Sequence, residues 1–171
     1  IRDSPFTTLV PNLGVVELSG DDYVQRAFVM ADVPGLIEGA SEGRGLGLQF
    51  LKHLERTSLI AYMIDVSNEE QLPLDALKTL RDELASFGTD WSAKRCLVVL
   101  TKSELVDQSN LSKVMTDISA AGHEVLSISA VTGQGLEELK RRLYTLVSEE
   151  KAQQALLANP TDLYEQPSAL H

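Results

Sequence analysis

The apolar run Phe28 to Ala31 stops on Asp32, and the chain then passes through Val33, Pro34 and Gly35. A carboxylate at the end of a buried strand can hold Mg²⁺ through a water. A glycine just beyond it lets a backbone N–H approach a phosphate oxygen with no side chain in the way. Pro34 has no N–H and fixes the turn that precedes it. Upstream, "PFTTLVPN" (5–12) is an extended stretch with adjacent threonine hydroxyls. Thr8 there can complete a Mg²⁺ shell only while a terminal phosphate is present. Further along, "TKSE" (101–104) follows one apolar run and "SA" (129–130) follows another. Taken singly, D-x-P-G is more often a turn than a site, and "TKSE" is no more than a polar cap. Their order, and the sheet edge they would share, make them a nucleotide site in pieces.

The elements needed to position these groups are legible from periodicity. "LGVVEL" (13–18) and "RAFVMAD" (26–32) flank the turn signal "SGDDY", which predicts a hairpin. "GLGLQFLKHLERT" (45–57) has Leu46, Phe50, Leu51 and Leu54 at helical spacing. "LIAYMID" (59–65) reads as a buried strand, apolar until Asp65. A helix follows over 72–88, with Leu77, Leu80, Leu84 and Phe87 on one face and Gly88 as its stop. Then come a strand at "RCLVVLTKSE" (95–104), a helix over 109–122, a strand at "HEVLSISA" (123–130) and a long helix over 135–158. That last helix carries a stripe of Leu136, Leu139, Leu143 and Val147, with Glu137–Arg141 and Glu138–Arg142 spaced as i,i+4 pairs. "NPTDLYEQPSALH" (159–171) has no period and reads as a linker or tail. Apolar runs alternating with helices indicate an α/β fold, a mostly parallel sheet with helices on both faces. Ligands of such sheets bind beyond the carboxyl ends of the strands.

Composition narrows the partners. The 171 residues amount to about one domain, and the net charge of −10 disfavours broad electrostatic binding to nucleic acid or an anionic membrane, leaving local contacts open; no DNA partner is expected. "KHLER" (52–56), Lys94-Arg95 and "KRR" (140–142) are small basic spots that read as solvated helix faces. The single cysteine, Cys96, sits in an apolar run, so it reads as a core residue in a reducing, cytoplasmic compartment. No apolar run is long enough to span a membrane. His53 and His123 stand alone and suggest no metal cluster.

From Pro5 to Thr57 the sequence resembles, almost residue for residue, the switch regions of the Obg/CgtA family of GTPases. To about Ser148 it resembles the second half of their G domain more loosely. The resemblance implies a P-loop NTPase-like fold that binds GTP or GDP with Mg²⁺ and hydrolyses GTP slowly. Phe6, Thr7, Thr8, Leu9 and Val10 would belong to switch I, with Thr8 a Mg²⁺ ligand. Asp32, Val33, Pro34 and Gly35 would form switch II, with Asp32 near Mg²⁺ through water and Gly35 at the γ-phosphate. Thr101, Lys102, Ser103 and Glu104 take the place of the Asn-Lys-x-Asp guanine motif. Ser129, Ala130 and Val131 take the place of the second guanine loop. No side chain is assigned a catalytic role. Leu36 stands where many GTPases put a water-orienting glutamine, so hydrolysis would need a group from elsewhere. The implied partner is the large ribosomal subunit, its RNA and protein, in ribosome biogenesis or a stress response.

Two departures from that pattern stand out. Glu104 has the carboxylate fork of the usual aspartate on one extra methylene, and Thr101 lacks the usual amide; guanine preference is expected to be weakened but kept. No G-x-x-x-x-G-K-[ST] is present. The first strand, the P-loop and the first helix of the family's domain are therefore expected to lie outside this chain. The sheet is then expected in two parts, because that strand runs through its middle. Residues 1–150 would be a partial G domain and 151–171 a linker and tail. The competing reading is a degenerate, non-hydrolysing G-like module that binds a protein partner. "GASEGRGLG" (39–47) fits a moving loop better than a dinucleotide fingerprint.

Overall fold

The computed structural model describes residues 12–20, 26–32, 52, 54–86, 91 and 93–158. Two sheets are present among the described residues. Strands β1 (Asn12–Glu17) and β2 (Ala27–Asp32) form an antiparallel hairpin with Asn12 opposite Asp32. Strands β3 (Ile60–Asp65), β4 (Cys96–Thr101) and β5 (Val125–Ser127) form a parallel sheet in the order β3-β4-β5. The division of the sheet into two parts, and its parallel half, follow the sequence expectation.

Helices α1 (Pro73–Ala85), α2 (Gln108–Ala120) and α3 (Leu136–Ala158) alternate with the strands of the parallel sheet. Local features start α1 and both start and stop α2. Pro73 opens α1, where a missing N–H costs nothing. Asp107 caps α2 by accepting from Asn110 N at 2.9 Å, and this bond and the Ser109 hydroxyl hold its carboxyl below the usual range. Gly122, at φ +92°, takes the left-handed position after α2.

The core lies in two layers on either side of β4. Successive side chains of a strand point to opposite faces. Val98 and Leu100 join Tyr62 and Ile64 beneath Leu77 and Leu84 of α1 and Leu111 and Ile118 of α2. Leu97 and Val99 face the other way, onto Leu139, Leu143 and Leu146 of α3 and Phe28 of the hairpin. All four residues from Leu97 to Leu100 are fully buried, as a strand covered on both sides must be. The expectation of a buried strand ending on Asp32 does not hold: in β2 only Phe28 packs inward, against α3, while Met30 on the same face is exposed, as are Leu13, Val15 and Val29 on the other. Cys96 is half-buried, and burial pushes its thiol pKa up, in keeping with a core residue.

The expected surface pairs of α3 differ in detail. Arg142 forks onto Glu124 just ahead of β5, and Lys140, not Arg141, bonds Glu137, at 2.8 Å. A carboxylate held beside the sheet is a better bidentate partner for a guanidinium than one on a free helix turn. Leu146 is buried more deeply than the expected Val147. The helix continues through residue 150 to Ala158, and 159–171 lie outside the described residues.

Leu100→Ala removes a fully buried side chain from the strand on which both layers rest. The expected loss is about 2–5 kcal/mol. Urea unfolding followed by circular dichroism should show a lower midpoint with an unchanged slope.

Candidate functional site

The parallel sheet brings three strand ends to one rim. β3 ends on Asp65 and β4 on Thr101, and these two residues are partners in the register. β5 ends at Ser127, one residue before Ile128 and two before Ser129.

Past Thr101 the backbone turns sharply. Lys102 has φ 58° and ψ 36°, a left-handed conformation that few lysines adopt. A 3-10 turn follows over Ser103–Leu105, closed by Leu105 N donating to Lys102 O at 3.0 Å. The turn is fixed from the neighbouring strand: Ser103 N donates to Ile128 O at 3.2 Å, and Ile128 N to Leu100 O at 2.8 Å. Thr101 is held too, its carbonyl accepting from Val66 N at 3.2 Å. Glu104, the middle residue of this turn, is exposed.

The loop after β5 is ordered by Ser129, which is fully buried. Its Oγ accepts from Thr132 N at 3.1 Å, its N donates to Gln134 O at 2.9 Å and its carbonyl accepts from Gly133 N at 2.8 Å. Ala130 and Val131 are thereby left outward, with Val131 83% exposed. Gly135 is irreplaceable here: at φ +78°, a Cβ would sit 2.3 Å from Ser127 O. The two predicted base loops, 101–104 and 129–131, are therefore neighbours on one edge, linked through the Ser103 N to Ile128 O bond just before the second loop.

Asp65 joins them. Its Oδ2 accepts from Lys102 Nζ at 2.7 Å. Its Oδ1 accepts from Ser67 N at 2.9 Å and Ser67 Oγ at 2.6 Å. Lys102 first, then Ser67, hold the Asp65 carboxyl at about 2, against an ordinary 3.8. The same contact raises the pKa of Lys102. Asp65 is absent from the residues that motif reasoning selects. The signal for it was nonetheless the one that picked out Asp32, an apolar run ending on a carboxylate.

Asp32 stands exposed at the end of β2. Phe6, Thr7, Thr8, Leu9, Val10, Val33, Pro34 and Gly35 lie outside the described residues, as do Leu36, the 39–47 stretch, His53 and most of the 45–57 helix. Lys52, Leu54 and Glu55 of that helix are helical. His123 is half-buried, and burial lowers its pKa. Among the described residues, no group of three or more His, Cys, Asp or Glu gathers as a metal site, and no helix is long and apolar enough to cross a membrane.

The profile of a family described as 50S ribosome-binding GTPase matches residues 1–102. The chain belongs to that family. It is also similar to proteins named GTPase Obg, which bears out the resemblance read from the motifs. It is 47% identical to that of Fervidobacterium nodosum over 153 residues, 88% of this chain and 34% of the relative. It is 45% identical to that of Chlorobium chlorochromatii over 153 residues, 89% of this chain and 42% of the relative. It is 48% identical to that of Syntrophotalea carbinolica over 141 residues, 81% of this chain and 38% of the relative. The chain thus spans well under half the length of these curated relatives. The α/β architecture with its parallel sheet agrees with a G domain of this family.

The pairing of Asp65 has a consequence for acid stability. A carboxyl whose folded pKa is depressed stabilises the fold above its unfolded value, and that contribution is lost as pH falls through the folded value. Asp65→Asn should therefore be less stable than the wild type at pH 7, with the gap closing between about pH 4 and pH 2. Urea midpoints measured at steps from pH 7 to pH 2 check this. The gap should be small and should shrink with added salt, because both groups are partly exposed.

Proposed function

We propose that this chain is part of the G domain of an Obg-type switch that binds GTP and GDP with Mg²⁺ and hydrolyses GTP slowly. One observation carries the reading. In a member of a GTPase family, the loops 101–104 and 129–131 lie side by side at the carboxyl edge of a parallel sheet, joined by the Ser103 N to Ile128 O bond. That edge is where α/β sheets bind nucleotides.

In this reading Glu104 accepts from the guanine N1–H and exocyclic amine, and Lys102 lies against the base. Ser129, Ala130 and Val131 bound the far side of the base. Asp32, an exposed carboxylate at a strand end, has the hard oxygen chemistry of an outer-shell Mg²⁺ ligand, with Thr8 as the direct one. Bound Mg²⁺ would neutralise charge on the phosphate oxygens during transfer. Phe6, Thr7, Leu9 and Val10 flank Thr8 in switch I, and Val33 and Pro34 set Gly35 to donate its N–H to the γ-phosphate. Loss of that phosphate releases Thr8 and Gly35, an order–disorder switch. Leu36 orients no water, so hydrolysis is slow until a partner supplies a group. The partner is the large ribosomal subunit in the cytoplasm. Residues 1–150 form the partial G domain, and 151–171 lead out of it.

The second reading, a non-hydrolysing G-like module, draws on Thr101 and Glu104 standing where Asn and Asp are usual. One titration separates the two. The complete polypeptide, titrated with fluorescent GDP and GTP analogues in the presence and absence of Mg²⁺, should bind both, with the triphosphate the more Mg²⁺-dependent. No binding at high micromolar concentration would reject the GTPase reading.

The glutamate makes a sharper prediction. Shortening it places the fork closer to the usual aspartate position, so Glu104→Asp should raise guanine affinity by about threefold or more. An unchanged or lower affinity would show that the rim is built around the longer side chain.

A further inference from the structure

Lys102 combines an unfavourable backbone with a head group paired to Asp65. Its φ of 58° is the one positive value at a non-glycine position among the described residues. Such conformations persist only where the surroundings over-determine them. Here the surroundings are the 3-10 turn on one side and Asp65 on the other. Adjacent strands lie about 4.8 Å apart. Lys102 Nζ is 2.7 Å from Asp65 Oδ2, so the lysine reaches from the end of β4 to the end of β3. Its stem thus lies across the rim beside the 103–105 turn.

Asp65 is in turn immobilised. Ser67 grips Oδ1 through both its N and its Oγ, which leaves Oδ2 aimed at the lysine. No part of the phosphate or Mg²⁺ reading uses this carboxylate.

We propose that Asp65 is a positioning residue for the nucleotide base: it anchors the Lys102 ammonium across the strand ends and so lays the lysine stem down as the apolar platform for the purine. This rests on the guanine-nucleotide reading above. The anchoring has two effects on binding. It removes the entropy cost of ordering a four-carbon side chain at the moment the base arrives. It also neutralises the ammonium locally, so that Lys102 contributes its stem to the base and not its charge to the phosphates. The carboxyl titrates at about 2, so the anchor is charged across the neutral range.

The test is a double-mutant cycle on the complete polypeptide, read as the release rate of a fluorescent GDP analogue in stopped flow with Mg²⁺ present. Asp65→Asn should speed release about two- to fivefold. Lys102→Met keeps a stem without the charge, and adding Asp65→Asn to it should change release no further. Asp65→Glu, which can still reach Nζ, should recover part of the slow release. Thermal melts of each variant report folding separately. Where Asp65→Asn does not fold, Ser67→Ala serves, since it only loosens the carboxylate; it should speed release in the wild-type background and not in Lys102→Met. Equal effects of the Asp65 or Ser67 change in both backgrounds would mean a purely structural role and would overturn the proposal while leaving nucleotide binding in place. A wild-type protein that binds no GDP analogue would overturn both.

Discussion

Everything at the rim depends on β4 being covered on both faces. A strand with Leu97 and Val99 under α3 and Val98 and Leu100 under α1 and α2 cannot slide or twist without opening two layers at once. A one-residue slip would exchange the faces of every side chain. Thr101 inherits that fixed position, and the 101–104 turn starts from it. The turn after a buried strand is exposed by necessity, because unpaired backbone groups cannot be buried cheaply. Rigid approach and exposed exit are what a ligand loop requires, and here they follow from the same alternation of apolar residues.

The loops are tied to that strand by backbone bonds more than by side chains. Ser103 N to Ile128 O and Ile128 N to Leu100 O make the two rim loops a continuation of the sheet's own ladder. Gly135 permits it, since any Cβ would strike Ser127 O, and buried Ser129 closes the loop on itself. Side chains then add direction. Asp65 and Ser67 at the end of β3 fix the head of Lys102, while Glu104, Ala130 and Val131 face outward.

Much of this was legible in the sequence, for a physical reason. A strand covered on both faces needs an unbroken apolar run, so "RCLVVL" announced β4; "LIAYMID" announced β3, but only Tyr62 and Ile64 of that strand are buried and Met63 on its other face is exposed. Amphipathic periodicity placed α1, α2 and α3 within a few residues of their ends. The sequence also located "TKSE" and "SAV" at strand ends, because a polar residue after a buried run marks where the sheet stops. What it could not show was pairing across the chain. Asp65 and Lys102 are 37 residues apart, and Arg142 and Glu124 are 18 apart. Local i,i+4 spacing suggested other partners for Arg142, and nothing local suggested any for Lys102. Strand length was overestimated where polar residues flank β5, since "HEVLSISA" yields only Val125–Ser127 as ladder. The side chains of that segment fit a strand; its neighbours supply hydrogen bonds for three residues.

The arrangement of charge bears on how such a protein would meet a ribosome. A chain of net charge −10 has to use local basic groups to approach RNA. Several that the sequence offers are already engaged. Lys94 donates to the carbonyls of Leu54, Glu55 and Thr57 and sits 5.6 Å from the Trp91 ring, and desolvation lowers its pKa. Arg95 pairs with Glu149 at 2.7 Å, Lys140 with Glu137, and Arg142 with Glu124. These contacts fasten the end of the 45–57 helix to the start of β4 and α3 to the sheet. A phosphate would have to displace a carboxylate or a capped helix end to recruit any of them. Under the proposed function, long-range attraction to RNA through these four groups is therefore a poor account of partner recognition. Under the proposed function, recognition would rest instead on the short-range shape of whatever surface the nucleotide orders. That is the kind of contact a γ-phosphate can switch, because electrostatic steering acts over a Debye length and shape complementarity acts only on contact.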